Sequence, residues 1–214
     1  MHQPDHPDGL VDRVSNPMGA AWFVYDPVQR LKTAHLVDGA LARGEEVRDL
    51  EEHKRRFLEE DEQVVHELAK VGVHVSSIQD LLNTREPYPE AIPTLIRMLK
   101  KVSYLPVKEV LARDLTCKEA KGKAEIALLE EFMKTLPDDD SDADSFRWAV
   151  GNALEILGSK SNSGPLLDAI QDRRGGSARG MLALAAGKTR DPTFIPVLLE
   201  MLSTITQISP LSIT

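Results

Sequence analysis

The chain has 214 residues, enough for a real core, and 42% of them are hydrophobic while only 5% are aromatic. A core so rich in aliphatic residues and alanine suits close helix packing and argues against a β-sandwich, which would draw on Val, Ile, Tyr and Phe. The formal net charge of −8 opposes binding to nucleic acid or anionic lipid. The single cysteine, Cys117, excludes an internal disulfide and fits a reducing compartment, so the cytoplasm is the expected location.

Residues 1–27 carry four of the thirteen prolines, with Asp5, Asp8, Gly9 and Asp12 among them, and read as a flexible lead-in. The apolar run at 18–25 lacks a basic flank and is too short for a signal core or a membrane span, so no membrane is expected. Its AAWFVY portion either tucks onto the helices that follow or serves as a docking peptide. Residues 28–83 form a helical N-terminal region. No proline interrupts the chain between Pro27 and Pro87, a weak helix is expected over 29–43, and a long charged helix over 45–71. In that long helix Leu50, Phe57, Val64 and Val71 fall seven apart, with Val47, Leu58, Val65 and Leu68 beside them, and Gly72 is placed to end it. The narrow stripe fits one neighbouring helix. A self-associating coiled coil is the alternative, opposed by Lys54 and Asp61 in the companion seam positions. A short helix with Ile78, Leu81 and Leu82 follows, capped by Ser76 or Ser77. Three prolines, Pro87, Pro89 and Pro93, then break the chain.

Residues 84–214 hold a repeat. VKEVLARDLT from Val107, FRWAVGNALE from Phe146 and ARGMLALAAG from Ala178 start 39 and 32 residues apart, a spacing expected of helical repeats. In each, a cation stands second (Lys108, Arg147, Arg179), an apolar residue fifth (Leu111, Val150, Leu182) and a small one sixth (Ala112, Gly151, Ala183). The ninth is again apolar (Leu115, Leu154, Ala186). An apolar helix precedes each stretch, beginning near Ala91, Ala124 and Gly164, and a fourth begins at Phe194. Pro93, Pro165 and Pro196 stand near helix starts, where a missing N–H costs little. The fold class is therefore all-α, with three hairpins and part of a fourth. Apolar positions 1, 5, 8 and 9 give each second helix one wide core stripe, and the small sixth residue lets the next hairpin approach closely.

These stretches resemble the HEAT-repeat superfamily, most nearly its short bacterial form known from phycobilisome lyase subunits. Arg179, Leu182, Ala183, Ala185 and Gly187 match the family pattern of its second helix; Phe146, Arg147, Val150, Ala153 and Leu154 follow it, and Val107, Lys108, Ala112 and Leu115 more loosely. The segment NTREPYPEAIPTLIRML is also similar to bacterial HEAT-repeat proteins, and the resemblance covers roughly residues 84–202. It implies a short right-handed α-α solenoid and a non-enzymatic scaffold that binds a protein or peptide on its concave face. Other members suggest two further functions: a DNA glycosylase-like enzyme, and a bilin-lyase-like chaperone.

The candidate partner-binding residues are Lys108, Arg147, Trp148, Arg179, Asp138, Asp139, Asp140 and Asp142. The second-position cations lie at the end of the helix where the dipole disfavours them. They either meet a carboxylate or carbonyl of the preceding turn or line up to grip an anion. Trp148 is expected in the core or between repeats; an aromatic cup for a modified base is the sharper reading. The insertion DDDSDAD at 138–144 fails the EF-hand pattern, because Ala143 and Ala149 stand where glycine and glutamate are required. It reads as a solvated turn in which Asp144 or Ser145 caps the next helix, or as an acidic knob for a basic partner. No metal or cofactor site is expected. The repeats contain no histidine, and the lone His66-Glu67 dipeptide reads as a solvated helix residue beside an acid, unlike the multiple His-Glu pairs of HEAT-repeat iron hydroxylases. No Gly-rich phosphate loop or nucleophile elbow occurs. The apolar tail, with Ile205, Ile208, Leu211 and Ile213, either caps the last helix, belongs to a longer array or joins two chains as a homodimer.

Overall fold

A computed structural model describes residues 42–136, 141–158 and 162–207, and every regular element among them is a helix. The chain divides into two units, Met1–Asp38 and Gly39–Thr214. The first lies outside the described residues, as do the expected lead-in, the AAWFVY patch and the last seven residues of the tail. In the second unit α1 spans Ala42–Ala69, α2 Gln79–Asn83, α3 Ile92–Lys101, α4 Leu105–Asp114, α5 Glu125–Lys134, α6 Ser141–Leu157, α7 Ser163–Gln171, α8 Ala178–Thr189 and α9 Ile195–Gln207. None of these helices is long and apolar enough to cross a membrane.

The helix ends follow local chemistry. After α1 the Val73 N–H bonds the Leu68 carbonyl and the Gly72 N–H bonds the Ala69 carbonyl, with Gly72 at φ +82°. This paired arrangement needs a residue that tolerates the left-handed region, and glycine does so without a Cβ penalty. At α2 the Ser77 hydroxyl accepts from the Gln79 N–H at 3.3 Å, while the Asp80 carboxylate accepts from the Ser76 and Ser77 N–H groups at 2.8 and 3.1 Å. Ser77 thus covers the first N–H of α2, and Asp80 covers the two serine N–H groups that precede it. Two adjacent acids of α1 close two other gaps. Glu60 accepts from the backbone N–H groups of Ser103 and Tyr104 at the start of α4, and Asp61 accepts from the Ile78 N–H at 2.8 Å. Asp61 is buried for that purpose, which accounts for an acid on the apolar side of α1.

That side differs from the seven-residue spacing. Phe57, Val64 and Leu68 are buried with Asp61, whereas Leu58 and Val71 are exposed. The helix docks on α3 and α4 through the i, i+4, i+7, i+11 series Phe57, Asp61, Val64 and Leu68, the straight-helix period, while Val71 lies past the end of α1 in the turn at Gly72 and is off that face. The second difference is at α6. It begins at Ser141, so Asp144 and Ser145 lie within its first turns and do not cap a helix starting at Phe146. Ser145 instead donates to the Ser141 carbonyl at 2.8 Å. Acids at 142 and 144 face the positive end of the helix dipole, which favours extending the helix into the insertion.

The second helices pack in a row, α4 on α6 and α6 on α8, while the first helices α3, α5, α7 and α9 contact one another in the same order. Leu111, Val150 and Leu182 are fully buried between them, with Val107, Phe146 and Ala178. At Gly151 α6 and α8 approach closely: a Cβ there would sit 2.7 Å from Met181 Cβ and 3.4 Å from the Ala178 carbonyl. By contrast, a Cβ at Gly180 or Gly187 would meet nothing within 4 Å. Exposed ion pairs lie outside the row, Lys100 of α3 to Glu130 of α5 at 2.6 Å and Arg173, in the turn after α7, to Glu200 of α9 at 2.9 Å. Such exposed pairs contribute only about 0–1 kcal/mol each, so the apolar row carries the packing.

Gly151→Val is expected to lower stability by about 1–3 kcal/mol through overpacking against Met181. Gly180→Ala and Gly187→Ala should each raise it by about 0.5–1 kcal/mol through helix propensity. Urea unfolding of the three variants checks the contrast.

Candidate functional site

Positions 1, 5 and 9 of each second helix point inward, so positions 3 and 7 point out. On α6 position 3 is Trp148, 43% exposed, and on α8 position 7 is Leu184, 51% exposed. Trp148 is therefore not a core residue, since two steps from buried Phe146 turn it about 200° around the helix; of the two places expected for it, core or between repeats, only a contact with the neighbouring unit is found. The Arg113 guanidinium of α4 lies 5.9 Å from the centroid of its ring, and Arg113 is held by Glu109 at 2.6 Å. Lys188 of α8 reaches Glu155 of α6 at 2.5 Å. These contacts tie the three second helices into one outer face, with Trp148, Leu184 and the open glycines 180 and 187 along it.

The second-position cations are turned inward. Lys108 is buried and donates to Glu131, itself buried on α5, which also accepts from Lys134 at 2.6 Å. Arg147 is buried and donates to the Thr135 carbonyl at 2.6 Å and to Asp144 at 2.6 Å. Half-buried Arg179 donates to the Ile170 carbonyl at 2.7 Å. Thr135 and Ile170 stand at the C-terminal ends of α5 and α7, so each arginine satisfies carbonyls that helix geometry leaves unpaired and meets the negative end of the dipole.

Asp142 is half-buried in the first turn of α6. Burial and then the Asp142 carboxylate push the Tyr104 phenol up to about 12. The same phenol bonds His53, and the Arg56 guanidinium stacks 4.5 Å from its ring centroid. Asp138, Asp139 and Asp140 lie outside the described residues. His66 is exposed on α1, and no group of three metal-ligating side chains occurs among the described residues.

One residue escaped the sequence reading. Asp114 ends α4, is 1% exposed, and neither carboxylate oxygen has a hydrogen-bond partner. Burial pushes its pKa well above the usual carboxylate range, and the nearby Asp61 adds to the shift. Burial also raises Asp61, against the opposing Ile78 N–H. The signal was available: position 8 of the repeat is Ala153 in α6 and Ala185 in α8, both buried, but Asp114 in α4. Beside it, the Tyr88 hydroxyl donates to the Asp114 carbonyl at 2.8 Å.

Comparison of the chain with protein-family models, curated proteins and solved structures finds no match. The HEAT-repeat resemblance therefore rests on the residue pattern of the sequence alone.

Arg147→Ala is expected to cost about 2–4 kcal/mol, because it strands the Thr135 carbonyl and removes a buried charged donor. Asp114→Ala should act oppositely. The folded chain keeps a proton that the unfolded chain releases near pH 4, so wild-type stability falls as pH rises above about 4. The alanine variant should be more stable at neutral pH by about 1–3 kcal/mol, with a shallower pH slope. Thermal unfolding across pH 4–8, a range starting at about the unfolded carboxylate pKa, measures both variants.

Proposed function

We propose that this chain is a cytoplasmic, non-enzymatic protein-binding module, a short right-handed α-α solenoid of HEAT-like repeats whose concave face is formed by α4, α6 and α8. The order of packing supports the architecture: each second helix contacts the next, and each first helix does the same. A two-helix unit cannot bury its own apolar side, so stacking produces both a core and a continuous outer surface. The observation that carries the binding role is the exposure of Trp148 and Leu184 on adjacent second helices, with the open Gly180 and Gly187 beside them. An exposed tryptophan is among the side chains that contribute most to protein interfaces, and exposed Leu184 adds apolar area on the neighbouring second helix. The inward commitment of Lys108 and Arg147 leaves the apolar pair, not a row of cations, as the recognition feature.

A Trp148→Ser, Leu184→Ser double variant is expected to keep its circular dichroism and melting temperature, since both side chains are exposed. It should fail to retain proteins that the wild-type chain captures from extract of the source cells. Equal recovery of the same proteins by both chains would place binding elsewhere.

A further inference from the structure

A cleft of about 690 Å³ lies between the end of α1, the segment 73–76, α2 and the segment 84–90. Its apolar lining comes from Ala69, Val73, Val75, Leu81, Pro87 and the ring of Tyr88. Its acids are Asp80, Glu86 and Glu90, all exposed. Two further acids lie buried nearby, Asp114, whose backbone carbonyl holds the Tyr88 hydroxyl, and Asp61, which holds the Ile78 N–H at the start of α2; Asp114 keeps its proton, so the charge of the cleft is that of Asp80, Glu86 and Glu90. Asp80, Glu86 and Glu90 form no ion pair among the described residues; the basic residues of this region are His74, which lines the cleft, and Arg85, which stands in the chain between Thr84 and Glu86. Asp80 is satisfied by backbone N–H groups, which hold its position without removing its charge.

We propose that this cleft is a second docking site, separate from the outer face of α4, α6 and α8, and that it takes a short basic segment of a partner protein in which arginine or lysine alternates with aliphatic residues. The chemistry selects such a segment in two ways. An aliphatic floor accepts the methylene stems of Lys and Arg, whose charged heads remain at the wet, acidic mouth. The Tyr88 ring gives a guanidinium a face to stack on, and Arg is favoured there over Lys. The volume is several times that of one side chain and lies within the range of small-ligand sites, so a few residues fit. The three exposed acids Asp80, Glu86 and Glu90 outnumber the one arginine of the segment, Arg85, and provide the complementary charge, which steers encounter and fixes register.

The test uses the full chain and a capped hexapeptide of alternating arginine and leucine, followed by amide chemical shifts. Shifts are expected at Val73, Val75, Ser76, Leu81 and Tyr88, with affinity falling as salt is raised. The Glu86→Gln, Glu90→Gln double variant, altered only at exposed positions, should bind about tenfold more weakly. A hexapeptide of alternating glutamate and leucine should leave the amides unmoved. Unmoved amides with the basic peptide would overturn the proposal, and so would equal affinity for the double variant. Spermidine binding as tightly as the peptide would also overturn it, by showing that the cleft reads charge alone.

Discussion

The close approach of α6 to α8 at Gly151 is the constraint on which the rest of the packing depends. With no side chain at this position, the two helices meet over Met181 and the Ala178 carbonyl, and Val150 and Leu182 are drawn fully out of water beside them. Dispersion between well-packed aliphatic atoms is weak per pair and falls steeply with a gap, so a row of alanine and glycine gains only if helices come this near. The low aromatic content is consistent with that solution: small side chains packed at short range replace large ones packed at longer range.

Polar groups inside the row follow from the same geometry. Packing α5 and α7 against their neighbours buries carbonyls at their C-terminal ends, and the second-position arginines of α6 and α8 supply the donors. Lys108 departs from this by reaching a carboxylate on the following unit, so it links α4 to α5 where the arginines act within their own unit. At the α1 end, Glu60 and Asp61 close the starts of α4 and α2. That side also holds Asp114, buried with no hydrogen-bond partner for its carboxyl oxygens, while the outer face of the second helices presents Trp148 and Leu184.

Much of this was legible in the sequence. The prolines near the starts of α3, α7 and α9, the glycine after α1 and the repeated apolar positions located the helices of the repeat, because each reports a backbone requirement that is local. Burial of Leu111, Val150 and Leu182 followed from helical period alone. What could not be read depends on partners distant in the chain. The direction taken by Arg147 is set by the Thr135 carbonyl, the outward face of Trp148 by where α4 and α8 lie, and the burial of Asp61 by Ile78. The start of α6 was misplaced because Asp and Ser favour both caps and first helical turns, and the sequence does not separate the two. Asp114 is a different case, since comparing it with Ala153 and Ala185 exposes an acid at a core position without any coordinates.

Native-state amide hydrogen exchange tests the central claim most directly, because it measures whether the second helices form one cooperative row. The expected result is that amides at 110–114, 150–154 and 182–186 are the slowest in the chain and share one opening free energy, while those of the exposed side of α9 exchange faster. Rapid exchange at 182–186, independent of 150–154, would contradict the account, because it would mean that α8 is not held by the contact at Gly151.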